Sequence, residues 1–480
     1  MRKVLVTVLV MMFAVTTLYA AGVGITGFGV RATNLAGNYR ALSNDWSGMY
    51  WNPAGLVWSK GLKVGASVEL ITPSASYAAI PYKGAAFSAT SATTITSEKR
   101  SFPIPSAGIF YSNEKMAYGF AVFAPFGLGS KWDLLNTSVY NPLYPEFEYE
   151  DDLKVIAVQP TFAYKLSDKM SMGVGLMLTY ADIMIRKPTF TPNPVTFDPA
   201  YAALKAQLGA SAQPPFDHFL TEALLDGTGM GFGAAFGLQY KPVETLTLGV
   251  SGKWYNTISL DGTLMADTYY AKGPANVKPT LDYLLSVSAI TTAQYQQLMG
   301  AYSGAKAVAI PEIDVKADMP LPITIGAGFA FTGINNLLIT GDVALTTWSA
   351  WKVIEIKDTD GNLQAELEEN WEDTIRLGLG LEYALPVANA KLRAGFYSEP
   401  RAAIDETMQP VVPDASRRTA ASIGLGLPLG PFEIGLMYER IFADPYTVTE
   451  WYPATPPFSN MAGTYELKSS NIMVGIDYNF

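Results

Sequence analysis

The sequence predicts an all-β fold: a 14-stranded antiparallel transmembrane β-barrel with an N-terminal luminal hatch and short helices in long outer loops. Three observations predict it. Apolar and polar residues alternate along many segments of ten or more residues, the connections sort into a short and a long set, and charge is scarce. Of 480 residues 49% are hydrophobic and 16% charged, whereas a water-covered surface needs nearer a quarter. An outer face that meets lipid explains the shortfall.

Residues 1–20 read as a signal peptide. Met1-Arg2-Lys3 is basic, Val4 to Thr17 is apolar, and Leu18-Tyr19-Ala20 precedes Ala21 as a cleavage site. The apolar run falls short of the roughly 20 residues that a spanning helix needs. No later stretch makes a convincing apolar 20-mer.

Residues 21–60 read as the hatch. Gly22, Gly24, Gly27, Gly29, Gly37, Gly48 and Gly55 interrupt any period, so the segment suits packing inside a lumen better than a strand pair of its own. At its centre stands Trp51-Asn52-Pro53-Ala54-Gly55, with Trp46, Tyr50 and Trp58 close by. Pro53 holds Asn52 away from helical angles, and Gly55 is expected to let the chain bend toward the first strand. The glycine-rich tip, Ala21 to Gly29, is expected to stay free to move.

Residues 61–480 read as the barrel. Ile472, Val474, Ile476, Tyr478 and Phe480 share one face, and Asn471, Asp477 and Asn479 the other, as strand geometry demands. Leu246, Leu248, Val250 and Trp254 oppose Ser251 and Lys253. Leu377, Leu379, Leu381 and Tyr383 oppose Arg376 and Glu382, and Phe432, Ile434, Leu436 and Tyr438 oppose Glu433 and Glu439. Ile156, Val158, Phe162 and Tyr164 oppose Gln159 and Thr161, and Gly378, Gly380, Gly424 and Gly426 also fall on polar faces.

Six tight turns, near 112–114, 166–169, 241–244, 331–335, 386–390 and 427–431, join twelve strands. One strand within Lys63 to Ala89 and one from Leu467 to Phe480 make fourteen, with Pro73 and Pro81 interrupting the first. Long connections fall near 90–102, 129–153, 186–227, 259–318, 352–371, 400–415 and 443–466. Both chain ends then lie on the periplasmic side. A soluble sandwich or propeller has no reason to sort its loops this way, whereas a barrel closes to satisfy its backbone in lipid.

Within the long connections, Pro199 to Leu208 places Tyr201, Leu204 and Leu208 on one helical stripe, and Pro215 to Leu225 places Phe216, Phe219, Leu220, Ala223 and Leu224 on another. Thr280 to Leu285 and Ala293 to Met299 repeat the pattern with Leu284 and Leu298. Such faces hold the loops together, form an apolar cup at the outer mouth, or do both.

Other chemistries find little support. Without Arg2 and Lys3, 31 basic residues stand against 43 acidic ones, which argues against nucleic acid. The absence of Cys excludes disulfides, thiol catalysis and CxxCH haem attachment. His218 is the only histidine, and no nucleophile is placed beside it by sequence. The acidic runs Glu148 to Asp152 and Glu366 to Glu369 lack the twelve-position calcium-loop pattern. No catalytic residue, cofactor or metal is expected.

Ala21-Gly22, Ser43-Asn44-Asp45, Asn52-Pro53-Ala54, Leu321-Pro322 with Gly326, Asp342 to Ser349, Trp371-Glu372-Asp373, Gly395-Phe396 and Pro413-Asp414 to Arg418 occur in this order. Together they resemble the long-chain fatty-acid transport proteins of the Gram-negative outer membrane and their toluene-uptake relatives. The resemblance implies capture of substrate on outer loops, transfer to a pocket near the hatch's N-terminus, and lateral exit at an inward kink of the third strand. By strand order that kink falls in Tyr118 to Gly129, at Ala124-Pro125-Phe126-Gly127. It also implies that Phe480 is read by the barrel-assembly machinery.

The expected function is passive transport of hydrophobic compounds, foremost long-chain fatty acids. Uptake of toluene-type aromatic hydrocarbons, or of polar solutes by a general porin, are the alternatives. A fatty chain gains about 0.8 kcal/mol per buried methylene, whereas a porin needs a charged constriction and no hatch. Candidate substrate contacts are Phe126, Trp132, Tyr201, Leu204, Phe216, Phe219, Leu220, Leu224, Leu284 and Leu298; candidate hatch residues are Gly22, Gly24, Asn52, Pro53, Ala54 and Gly55. Lys131 and Arg186, near loop starts, are candidate carboxylate partners. A monomer in outer-membrane lipid is expected.

Overall fold

The computed structural model describes residues 22–80, 94–139, 141–192, 199–208, 218–273, 275–386, 389–411, 414, 416–454 and 459–479. The expected signal peptide, Phe216 and Phe480 lie outside them. Fourteen antiparallel strands form a closed ring. In chain order they are β1 (Gly61–Ala79), β2 (Phe102–Ser112), β3 (Met116–Trp132), β4 (Tyr149–Ser167), β5 (Met170–Pro192) and β6 (His218–Val243). Next come β7 (Leu246–Tyr255, continued by Ile258–Tyr270), β8 (Lys306–Met319, continued by Thr324–Ile334), β9 (Leu337–Thr346, continued by Val353–Asp358) and β10 (Leu363–Glu368, continued by Thr374–Ala384). The ring is completed by β11 (Lys391–Glu399), β12 (Arg418–Leu429), β13 (Phe432–Phe442) and β14 (Gly463–Asn479). At the seam β14 pairs with β1 from Lys63↔Asn479 to Ala79↔Gly463, so neither terminal strand is left as an edge.

The short connections follow Ser112, Ser167, Val243, Ile334, Ala384 and Leu429, each within a few residues of the expected turn. The faces sort as a lipid-embedded barrel requires: Val68, Leu176, Phe232, Ile423 and Ile472 are at least half exposed on the outside, while Ser67, Gln159, Gln239, Ser251 and Asn471 are buried toward the lumen.

Residues 22–60 occupy that lumen. They contain helices α1 (Val30–Asn34) and α2 (Gly48–Trp51) and a 3₁₀ helix, Pro53–Trp58. An irregular backbone buried away from water must find partners, and the inward side chains of the wall supply them. Ser422 Oγ donates to Asn34 O at 3.0 Å, Arg376 Nη2 to Ala36 O at 2.6 Å, and Gln159 Nε2 to Met49 O at 2.6 Å. Ser251 Oγ donates to Trp51 O at 2.7 Å and Ser171 Oγ to Ala54 O at 2.8 Å. An ionic ladder adds to this: Arg31 pairs with Glu382 at 2.8 Å, and the fully buried Arg393 links Glu382 to Glu433.

Inward glycines of the wall are contact surfaces for this segment. A Cβ at Gly237 would lie 1.8 Å from Asn52 Oδ1, one at Gly395 2.4 Å from Ala36 N, and one at Gly424 2.0 Å from Asn34 Oδ1. At the centre, Asn52 is extended (φ −162°, ψ 101°) and accepts from Ala54 N at 3.1 Å, which starts the 3₁₀ helix at Pro53. Its Nδ2 donates to Arg40 O at 2.7 Å and reaches the carbonyls of Leu238 and Val250 in the wall. Trp51 Nε1 donates to Phe28 O at 3.0 Å, and Lys241 and Lys253 stand over the rings of Trp58 and Tyr50.

Three expectations change. Gly55 does not bend the chain: the 3₁₀ helix runs through it, and a side chain is excluded because a Cβ would meet Ser43 O at 2.4 Å. The bend into β1 comes at Gly61, with φ 82°. Pro73 does not end the first strand. Its neighbour Ala75 turns its N–H toward β2's side, and strand alternation sends the nitrogen of Pro73 the same way, where the β1–β2 ladder has already stopped at Ile71↔Phe102. No ladder bond is lost there.

The third correction concerns the helix expected over Pro215 to Leu225. From His218 onward this stretch is β6, paired with β5 from Pro192↔His218 and with β7 from Phe219↔Tyr270. Two adjoining strand edges offer its backbone a full ladder on both sides, and this tertiary context overrides the local helical stripe. Helices do form at α3 (Pro199–Leu208), α4 (Val277–Ser286) and α5 (Thr292–Ala301).

Candidate binding and passage site

The wall opens on one side of β3. Toward β4, β3 pairs from Met116↔Tyr164 to Trp132↔Tyr149, broken by a bulge in which Ala124 and Pro125 face the single residue Ile156. Toward β2, pairing runs only from Ser112↔Ala117 to Ala107↔Val122. Beyond that point Phe102–Ser106 and Phe126–Trp132 have no mutual ladder. Pro103, Pro105 and Pro125 lack N–H donors and weaken any pairing there.

The tip of the N-terminal segment takes up the abandoned edge. Ile25 N donates to Pro125 O at 3.1 Å and Gly127 N to Val23 O at 3.0 Å, bracketing an antiparallel bridge between Gly24 and Phe126. Gly22 (φ 56°) lies under the Trp348 ring, where a Cβ would come within 2.3 Å, and Arg418 Nη2 donates to its carbonyl.

Two spaces meet at this tip. A mainly apolar cavity of about 460 Å³ lies beside the gap, lined by Ile25, Ile104, Pro105, Phe126, Leu128 and Leu153 among others. This is in the usual range of small-molecule sites, roughly 300–1,000 Å³. A smaller chamber of about 80 Å³ is lined by Tyr50, Lys253, Tyr255, Arg376, Glu399 and Arg418. Gly24, Ile25, Thr26, Phe126 and Arg418 line both, so the tip and one ring form the partition.

The chamber gathers basic side chains around Glu399. Arg418 pairs with Asp414 at 3.2 Å, and Arg376 stacks 3.7 Å from the centre of the Tyr397 ring. Lys253 stands 3.1 Å from the centre of the Tyr50 ring, and among the described residues it forms no ion pair. Sequence reasoning passed over these groups, although parity had put Lys253 and Arg376 on polar faces. Lys131 and Arg186 are occupied instead: Lys131 lies 3.6 Å from Glu150, and Arg186 is 3.1 Å from Glu222.

The expected substrate contacts fall in three places. Phe126 meets Tyr255 and Trp348 edge-on at 5.4 and 6.3 Å, and Trp132 is buried in the same apolar cluster. Tyr201, Leu204, Leu284 and Leu298 pack against one another where α3, α4 and α5 meet, and all four are buried. Phe219, Leu220 and Leu224 lie on β6, with Leu220 buried against Tyr144 and Tyr269. Trp348, Trp351 and Trp371, which the sequence reading did not single out as contacts, pack beside Phe126; Trp351 and Trp371 stack at 4.7 Å.

A closed 14-stranded barrel with a filled lumen, a gap in its wall and an apolar cavity at that gap defines an outer-membrane channel for hydrophobic compounds. The outer membrane protein transport protein family (OMPP1/FadL/TodX) matches residues 11–480, and the chain belongs to it. Its home is therefore the Gram-negative outer membrane, and members of the family are transport channels rather than enzymes.

Solved structures share the fold at low identity. A Pseudomonas aeruginosa FadL homologue is 17% identical, with a TM-score of 0.72 over 96% of this chain and 100% of that one. The Pseudomonas putida toluene transporter TodX is 15% identical, with a TM-score of 0.65 over 97% and 100%. The Ralstonia pickettii toluene transporter TbuX is 16% identical, with a TM-score of 0.61 over 95% and 99%. No curated protein matches the chain.

Proposed function

We propose that this barrel carries long-chain fatty acids passively across the outer membrane, with residues 22–60 acting as its hatch and the β2–β3 gap as the lateral exit. One observation carries the choice of cargo: an apolar cavity and a chamber lined by Lys and Arg side chains share a partition of five residues. An acid with a long tail satisfies both at once. Its methylenes gain about 0.8 kcal/mol each in the cavity, and its carboxylate finds Lys253, Arg376 and Arg418 in a setting where charge-assisted hydrogen bonds are strong.

The aromatic ring cluster around Phe126 supports a second reading, uptake of toluene-type hydrocarbons, which need no cation. A general porin fits less well, because residues 22–60 fill the lumen. The deciding experiment compares oleate and toluene uptake in cells lacking other such channels, with wild type and Lys253→Met. For the acid reading, the variant loses about tenfold in oleate uptake, equivalent to about 1.4 kcal/mol, and keeps toluene uptake. Equal loss of both, or toluene uptake alone by wild type, would sink it.

A further inference from the structure

Glu69 of β1 and Glu439 of β13 point into the lumen on either side of β14, and each is only 1% exposed. Register sets Glu439 opposite Asn471 and Glu69 opposite Met473, so both carboxylates converge near one stretch of β14. Asn471 Nδ2 donates to Glu439 Oε2 at 2.9 Å, and Thr26 Oγ1, from the tip of the N-terminal segment, donates to the same oxygen at 3.3 Å. Thr26 and Asn471 also lie beside Glu69. Even so, Glu69 Oε1, Glu69 Oε2 and Glu439 Oε1 are buried with no hydrogen-bond partner among the described residues.

Buried carboxylate oxygens left bare are costly, and buried charge needs a counter-charge. Arg376 acts on Glu439 only from a distance, and among the described residues no Lys or Arg lies within ion-pair reach of either group. A proton shared between the two acids would supply one donor to one acceptor and leave the third oxygen bare. A hard cation takes all three together. It can also accept a lone pair from Thr26 Oγ1, while Asn471, whose Oδ1 accepts from Ser469 Oγ at 2.7 Å, keeps its Nδ2 on Glu439; Ca²⁺ tolerates such an irregular oxygen set completed by water.

We propose that Glu69, Glu439 and Thr26, with Asn471 of β14 positioning Glu439, form a binding site for one hard divalent cation of the Ca²⁺ type, which fastens the N-terminal tip to β1 and β13. The site goes beyond the transport reading, and it has a mechanical consequence. Thr26 lines both the cavity and the chamber, so the cation holds in place the partition that cargo has to displace.

The test uses the full-length chain purified in detergent, stripped with chelator and freed of lipopolysaccharide, and measures binding of radioactive Ca²⁺ by equilibrium dialysis. Wild type binds one Ca²⁺ per chain, Ca²⁺ raises its thermal midpoint by several degrees, and limited proteolysis near residue 26 slows. The Glu69→Gln/Glu439→Gln pair loses that ion, and Thr26→Val, which keeps both carboxylates and guards against a folding failure of the pair, binds several-fold more weakly. Equal binding by wild type and both variants overturns the proposal. So does a thermal midpoint that follows pH but ignores Ca²⁺, which would assign the pair to a shared proton. Because no transport is measured, failure here leaves the fatty-acid reading untouched.

Discussion

One N-terminal segment is held in two different ways. From Val30 to Trp58 it is bedded on the wall: its carbonyls are capped by serine, glutamine and arginine side chains, and its bulk fits against glycines that admit no side chain. From Gly22 to Thr26 it is held as a strand would be, by two backbone hydrogen bonds to the β3 bulge, with Arg418 and Glu439 at its ends. The first hold is broad, and many contacts must break together. The second is narrow and is made on an edge that β2 has left, so one segment combines a broad anchorage with a two-bond contact at its tip.

The strongest way to break this contrast is to remove its cause. Deleting Pro125 would convert the bulge into a regular ladder and let β3 follow β2; oleate uptake should fall at least tenfold while the barrel stays folded, and unchanged uptake would show that cargo leaves elsewhere. Next in size is an attack on the bed. Gly237→Leu drives a side chain into Asn52, and Asn52→Ala strips partners from buried carbonyls at about 1–3 kcal/mol. Both should lower resistance to guanidinium and give steady ion conductance in planar bilayers, and a barrel as tight as wild type would refute the bedding role.

A gentler change sharpens the contrast instead. Gly22→Val puts a branched chain at φ 56° against Trp348, so hydrogen exchange at Ile25 and Gly127 should quicken while the amides of 34–56 keep their protection. Parallel quickening of both sets would merge the two holds into one. The smallest effect lies outside the membrane, in the loop after β3. Glu148 accepts from Leu134 N and Thr137 N, yet burial, with Asp133 beside it, pushes its carboxyl up to about 7. The folded loop therefore binds that proton more tightly than the unfolded one. Its contribution is complete below about 4.5 and is lost as pH rises through about 7, so exchange at Leu134 and Thr137 should quicken over that interval beyond the intrinsic rate, and Glu148→Gln should abolish the excess.

Much of the barrel was legible because strand parity and loop length are local signals. Ile472, Val474 and Ile476 had to share a face, and one solvent accounts for all of them. Even the glycines at 378 and 424 lay on the correct side, although only the structure shows that Asn38 and Asn34 press on them. The site was less legible because it is made by approach across the ring. Nothing near Lys253 in the chain announces Tyr50, and nothing near Gly24 announces Phe126. The reading of Pro215 to Leu225 failed for the same reason, since the strands that claim it lie on either side in space. The helical stripes at Leu204, Leu284 and Leu298 do form helices, but their faces close on one another.

The glycine bed also constrains how the molecule is made. Its members are spread over strands from β1 to β14, and the ring shuts only when β14 meets β1. The first residues of the segment must therefore wait for the last part of the chain before their mould exists, a very high contact order. A shell cast without its filling would expose a row of bare backbone inside, which gives insertion into the membrane a reason to be concerted: packing and enclosure become one event.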